Sequence, residues 1–321
     1  MVEPASSPTP AGPGILAPVD GPHEVEPLAA AGATDLYGGV WAPAGEPGLS
    51  VTQRTFASAH FADEAALRAA IRTARSLGLG FHLTLNAPLY VPQRLESLLA
   101  LAGRAAEWGA TGVIAADPGL LAALADRDLG LVLTLSTLAG ALHAEAFRFF
   151  QRYGISRAVL PRHLTLEEVG AVCRGVPGVE FEAFVLVGAC PNEESLCTFQ
   201  HVSPSKRWPC EIPYRLTDGG GAPLAADHPL ERWHRAWGRA DRRLGCGLCA
   251  VPRWVEAGVR HLKIVGRGGP TAQKAANVAL VAAVTRGEVA DVPRAYRQRF
   301  GRPCHRLVCY ARELWPGRPA S

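Results

Sequence analysis

The sequence predicts an α/β protein, a (β/α)8 TIM-type barrel carrying a long cysteine-rich insertion between its seventh and eighth strands. Three observations lead there. Short apolar runs alternate with amphipathic helical patterns along the chain, eight runs in all, and repeated strand–helix–strand order builds a parallel sheet. A glycine recurs shortly before a strand, in Ala31-Gly32-Ala33, Trp108-Gly109-Ala110, Tyr153-Gly154-Ile155 and Ala257-Gly258-Val259, where a helix must end on a left-handed residue. The chain has 321 residues, 48% of them hydrophobic, enough for one large core. Length alone also allows two domains, and an open doubly wound sheet is the competing topology.

Taken in order, residues 1–13 are rich in Pro, Ala and Ser and read as a flexible tail. Strands are expected at 14–18, 34–38, 80–86, 111–116, 130–135, 157–161, 179–187 and 260–265, and the barrel spans 14–285. Leu67, Ile71, Ala74 and Leu77 fall on one face of a helix between the second and third strands. Another helix covers 165–174 and places Cys173 in the core. The regular spacing breaks once, at the insertion 188–260, and a C-terminal extension follows at 286–321. Loops leaving the C-terminal ends of barrel strands build active sites, and a long irregular loop usually has a function or a ligand that orders it.

The net charge of +4 is too small to establish a nucleic-acid partner. Of 33 basic residues only Lys206, Lys263 and Lys274 are lysines. No secretory leader and no uninterrupted apolar run of membrane-spanning length is evident, which points to a cytoplasmic protein without membrane contact. In a reducing compartment eight cysteines are better read as metal ligands or reactive thiols than as disulfides.

Five of the eight lie in the insertion: Cys190, Cys197, Cys210, Cys246 and Cys249. Soft thiolates select iron–sulfur clusters or zinc. Only the Cys246-x2-Cys249 pair has zinc-knuckle spacing, so the set favours a cluster, with zinc as the alternative metal and unliganded thiols as the plain reading. Cys304-x4-Cys309, past the end of the barrel, could join Cys246 and Cys249 in a second four-thiolate site, leaving Cys190, Cys197 and Cys210 around a first. Otherwise Cys304 and Cys309 are free thiols.

Several charged residues fall at or beyond strand ends. Arg54, Arg162, Lys263 and Arg267 could grip an anion, since an Arg fork engages a carboxylate in two places; the plain reading is salt bridges. Glu182, inside strand seven, must find a cation or serve as an acid or base. Asn86 ends strand three and could hydrogen-bond a substrate or only cap a turn. Arg232, Arg235, Arg239 and Arg242 form a helical stripe beside Trp233 and Trp237, which suits RNA or, more plainly, a solvated helix with its tryptophans turned inward.

Together the motifs GACPNEESLCTFQH at 188–201 and LCAVPRWVEAGVRHLKIVGR at 248–267 resemble the collagenase-like peptidase family of unassigned mechanism, the U class. AAAGATDLYGGV at 29–40, Arg54, the strand ending in Asn86 and AVLPRHLTLEEV at 158–169 extend the likeness. The family includes the paired ubiquinone-biosynthesis proteins UbiU and UbiV and RNA hydroxylases. The resemblance implies the barrel and a [4Fe-4S] cluster on Cys190, Cys197, Cys210 and Cys249, with Cys246 able to stand in for the last. It also implies oxygen-independent hydroxylation of a small aromatic or an RNA, with a small dianion such as prephenate giving the oxygen. Two alternatives are a peptidase using a Cys or a metal, and a non-catalytic partner of a paralogous subunit. The sequence has no H-E-x-x-H and no G-x-S-x-G for standard peptidase chemistry. It departs from the family at Val187, His163 and Val265, which bears on the substrate rather than the fold.

Overall fold

A computed structural model describes residues 12–42, 52, 57–190, 193–195 and 215–315. Eight parallel strands close into a barrel in sequence order: β1 Gly14–Pro18, β2 Asp35–Gly38, β3 Gly80–Leu85, β4 Gly112–Ala115, β5 Val132–Leu135, β6 Arg157–Val159, β7 Glu180–Leu186 and β8 Val259–Ile264. β1 pairs with β8 through Gly14↔His261 and Leu16↔Lys263, so no sheet edge is left open. The helices are α1 Val25–Ala30, α2 Glu64–Ser76, α3 Leu95–Trp108, α4 Pro118–Arg127, α5 Ala144–Gln151, α6 Leu166–Gly175, α7 Pro229–Arg239, α8 Val251–Ala257, α9 Thr271–Thr285 and α10 Val292–Phe300. All eight expected strands are present, and the open sheet is excluded. The expected tail lies outside the described residues except for positions 12 and 13, as do Arg54, Cys197 and Cys210.

Local chemistry sets the helix ends. Asp63 accepts from Ala66 N at 2.8 Å to start α2, Asp117 caps α4 through Leu120 N at 2.7 Å, and Thr165 with Glu168 forms a reciprocal capping box on α6. α3 and α8 end on Gly109 and Gly258 at φ 104° and 109°, where a side chain would be strained. α2 buries Leu67, Ala70, Ile71 and Ala74 against the barrel. Leu77 departs from the expected face: the helix stops at Ser76, and Leu77 turns outward, 48% exposed. Cys173 packs half-buried against the core, and burial pushes its thiol up to about 11.

Two layers of packing result. The outer layer, between strands and helices, is apolar, including Leu36, Phe81, Leu83, Val113, Phe147, Phe181 and Trp254. Among the described residues, Leu16, Tyr37 and Ile114 form a separate small apolar cluster inside the barrel, and charged side chains such as Glu182, Lys263 and Arg157 fill much of the rest. The C-terminal extension folds back over the insertion. Tyr296 of α10, almost fully buried, donates to Leu244 O at 2.7 Å, and Tyr310 donates to Gly188 O at 2.7 Å.

Candidate functional site

Strand direction puts the ends of β3, β6, β7 and β8 at one mouth of the barrel. Beneath it, β7 and β8 aim Glu182 and Lys263 inward. Glu182 is fully buried, with Lys263 Nζ at 2.8 Å and Arg157 Nη1 at 3.7 Å. Burial opposes ionisation of Glu182, but the Lys263 and Arg157 charges outweigh it and hold its carboxyl below the usual range. Lys263 is drawn down, by burial first and then by Arg157 and Arg267, against the pull of Glu182. Two cations facing one carboxylate explain both directions. Lys263 Nζ also lies 4.7 Å from the Tyr37 ring centroid.

Lower in the lumen, His82 Nε2 contacts Asp35 at 3.1 Å and Arg157 Nη1 at 3.2 Å. Glu180 meets Arg157 at 3.4 Å and His261 at 2.9 Å. Burial holds the His82 imidazole below its ordinary value, while the hydrogen bond from His261 keeps Glu180 ionised. This end is the N-terminal floor, where residues plug and stabilise a barrel.

At the mouth, Asn86 follows β3, and its Oδ1 is buried without a hydrogen-bond partner. Arg267, after β8, reaches across to donate from Nη1 to Thr84 Oγ1 at 3.2 Å. Arg162, after β6, lies with its guanidinium 3.5 Å from the Phe184 ring centroid and 5.5 Å from that of Tyr310. It pairs with Glu194 from the insertion, and His163 beside it meets Glu193 at 2.8 Å. Burial pushes the Tyr310 phenol up to about 12, so it is a neutral donor. The structure thus brings Asn86, Arg162 and Arg267 to the strand ends, places Lys263 inside the lumen, and sets Glu182 under them as its anion.

Cys190 lies four residues past the end of β7, half-buried, and the Tyr310 bond to Gly188 pins the turn before it. It is therefore at the C-terminal mouth, and its soft thiolate suits an iron–sulfur cluster or zinc. Cys246 is buried and bridges both Leu186 of β7 and Cys309. Cys249 is exposed and lies near Cys309 and Asp291. α7 carries three of the four expected arginines, with Arg232, Arg235 and Arg239 exposed, but it ends at Arg239 and Arg242 falls in a separate 3-10 turn; Trp237 is buried and Trp233, stacked on it at 5.9 Å, is 42% exposed, so one tryptophan turns inward and one outward.

Arg157, His82 and a second ion cluster are not expected from the sequence. Lys274 of α9, 3% exposed, bonds Asp20 and both oxygens of Glu24, at 2.8 and 2.9 Å for the latter. Both described lysines, Lys263 and Lys274, are therefore buried ion-pair partners. In a chain where arginine is the usual cation, lysine appears where a compact point charge must fit; that rarity was the available signal.

A parallel eight-stranded barrel with a cationic mouth and thiols on its rim is the class of protein defined by this geometry. The chain belongs to peptidase family U32, whose sequence profile matches residues 21–300. It is 28% identical over 161 residues to tRNA hydroxylation protein P of Escherichia coli (strain K12), covering 50% of this chain and 34% of that protein. It is 25% identical over 185 residues to tRNA hydroxylation protein P of Haemophilus influenzae, covering 58% and 38%. The chain thus matches little more than a third of these relatives' own length. The solved structure of the U32 peptidase Mk0906 superposes with a TM-score of 0.53 at 18% identity, over 84% of this chain and 98% of that one, a likeness of fold. No described helix is long and apolar enough to cross a membrane.

Proposed function

We propose that the protein acts in hydroxylation of RNA, with tRNA as the substrate class, using an organic oxygen donor and an iron–sulfur cluster at the barrel mouth. The observation that carries this reading is the match to the two tRNA hydroxylation proteins. The charge of the mouth supports it. Replacing C–H by C–OH is a two-electron oxidation. A donor R–OH that hands over its hydroxyl and takes the hydrogen leaves as R–H, reduced by two electrons, and no molecular oxygen enters.

Residues of this chain have definite tasks in that scheme. Arg162, with Arg267 and, by the resemblance, Arg54, holds the carboxylates of a small dianionic donor such as prephenate. Arg162 exchanges Glu194 for the ligand, and its stacking on Phe184 keeps the fork in plane. Asn86, whose buried Oδ1 has no partner, orients a donor hydroxyl or a base edge. Lys263 adds positive charge below, and Glu182 balances it rather than carrying protons, because two cations hold it ionised. By the resemblance, Cys190, Cys197, Cys210 and Cys249 would hold the cluster, with Cys246 able to stand in for the last. The bound cluster would relay electrons between acceptor and donor, with no net gain or loss, or would lend Lewis acidity to the oxygen transfer.

Protein purified without oxygen tests the cofactor. Iron and acid-labile sulfide in equal amounts, with the visible absorbance of a cluster that Cys190→Ser removes, are the expected result. Stoichiometric metal without sulfide, or peptide cleavage by the purified chain, would overturn the reading.

A further inference from the structure

Among the described residues, Cys246, Cys249, Cys304 and Cys309 do not assemble the second metal site that their spacing allows. The buried ion cluster on the other flank of β8 does more for the mouth. Asp20 lies two residues past β1, Glu24 ends the short turn Pro22–Glu24, and Lys274 stands in the first turn of α9. Lys274 Nζ bonds Asp20 Oδ2 and both carboxylate oxygens of Glu24. Glu24 also accepts from Asp20 N at 2.7 Å and from Thr271 Oγ1 at 3.0 Å. Asp20 Oδ2 accepts once more, from Gly268 N at 2.5 Å. That bond crosses from the loop after β1 to the loop after β8, and it grips the amide next to Arg267.

Arg267 needs such a grip. It sits in Gly266-Arg267-Gly268-Gly269, where Gly266 and Gly268 take φ 134° and 79°, and a Cβ on Gly266 would meet nothing within 4 Å. Glycine neighbours leave the backbone direction open, so the loop's own sequence does not aim the guanidinium. Yet it is aimed. Nη1 reaches across to Thr84 Oγ1 of β3 at 3.2 Å, and its charge bears on Lys263 in the lumen. Gly269 N donates to Gly266 O at 3.0 Å and closes the turn, but a bond internal to the turn cannot anchor it to the barrel. Asp20 can, because β1 is fixed between β2 and β8, and Lys274 and Glu24 fix Asp20 in turn. In (β/α)8 barrels the loops after strands seven and eight, with a helix N-terminus, frequently form a phosphate site. Here Gly268 N and Thr271 Oγ1, donors that a phosphate would use, are given to the protein's own carboxylates.

We propose that Asp20 is the positioning residue of Arg267: held by Lys274 and Glu24, it fixes the Gly268 amide and so aims the guanidinium at a carboxylate of the small dianionic donor. The proposal rests on the reading that Arg267 grips that donor. Two carboxylates share one lysine, and Asp20 Oδ1 is buried without a hydrogen-bond partner. The loop therefore asks of Asp20 one acceptor oxygen rather than its full charge. Asn supplies that oxygen and leaves Lys274 paired with Glu24, whereas Ala supplies none.

Two readouts on the full iron-loaded chain test this together. Phenylglyoxal, an arginine reagent, followed by peptide mass spectrometry reports where the guanidinium is. In wild type, half-buried Arg267 should react slowly beside exposed Arg232. Asp20→Ala should bring Arg267 towards the Arg232 rate while Arg157, buried in the floor, stays protected, and Asp20→Asn should restore the slow rate. Calorimetry with prephenate reads the consequence. Arg267→Ala should bind roughly ten- to a hundredfold more weakly, and Asp20→Ala about tenfold more weakly. The double variant should match Arg267→Ala within about twofold, because Asp20 acts through Arg267. Asp20→Ser replaces the alanine variant if that one does not fold. Arg267 still slow to react in Asp20→Ala, losses that multiply in the double variant, or an Asp20→Asn protein as reactive at Arg267 as Asp20→Ala would each overturn the proposal. Prephenate affinity unchanged in Arg267→Ala, with Arg267 still laid open by Asp20→Ala, would leave the positioning standing and overturn the donor reading instead.

Discussion

Replacing Glu182 with Gln removes one charge from the barrel interior and almost no volume. Glu182 is fully buried, with Lys263 at 2.8 Å and Arg157 at 3.7 Å. The substitution leaves two cations facing each other in the lumen. Removing one partner of a buried pair costs about 3–5 kcal/mol, and the lower end applies because Lys263, already drawn down by burial, can shed its proton. That escape gives the effect a sign with pH. In the variant the folded state keeps Lys263 neutral while the unfolded chain protonates it, so the variant gains stability relative to wild type as pH rises towards the ordinary lysine value near 10.5. In wild type the depressed Glu182 carboxyl gives the same sign in an acidic window: its contribution is full above its ordinary 4.5 and is lost as the pH falls through the folded value. Urea unfolding at neutral and alkaline pH is the assay. The double variant Glu182→Gln/Lys263→Met should recover most of the loss, since an apolar replacement of a buried pair is often neutral. A single variant within ~0.5 kcal/mol of wild type at neutral pH, or a double variant no better than the single, would show that Glu182 does not neutralise the lumen cations.

Arg162→Ala should weaken binding of a small dicarboxylate roughly ten- to a hundredfold, the equivalent of one charge-assisted contact of ~1.5–3 kcal/mol, and Arg162→Lys should fall short of wild type because it lacks the planar fork; calorimetry on the iron-loaded protein reads both. Gly245→Ala should destabilise by about 1–3 kcal/mol, since its Cβ meets Tyr310 Oη at 2.5 Å and backbone at 2.7 Å; a thermal melt unchanged from wild type would show that the C-terminal extension yields there. Arg232→Glu with Arg239→Glu, both exposed on α7, should weaken tRNA binding and flatten its salt dependence by about two phosphate contacts, leaving iron content unchanged; an unaltered salt slope would take α7 out of the RNA interface.

The barrel was legible because its elements are written locally. The strands are short apolar runs, and Gly32, Gly109, Gly154 and Gly258 all take positive φ where helices give way to strands. Leu77 misled because apolar periodicity runs one residue past the point where α2 stops. The lumen was less legible, because its ion pairs depend on register. Glu182 and Lys263 are 81 positions apart and meet only because β7 and β8 pair Phe184 with Lys263, with a bulge beside it. The pairing of Arg162 with Glu194 depends on how the insertion folds over the mouth, which no periodicity records. Cys190 could be placed at the rim from strand direction alone, whereas the gathering of Cys304 and Cys309 against Cys246 follows from a C-terminal extension whose path local pattern does not describe.

A barrel that serves hydroxylation of RNA must leave its product in the tRNA of the cell. The most direct test compares nucleosides, by mass spectrometry, from the tRNA of oxygen-limited cells that lack the protein and of the same cells given it back. One nucleoside heavier by a single oxygen atom is expected when the wild-type chain is present, and it should disappear with Cys190→Ser. Identical nucleoside profiles with and without an iron-loaded wild-type chain would contradict that role.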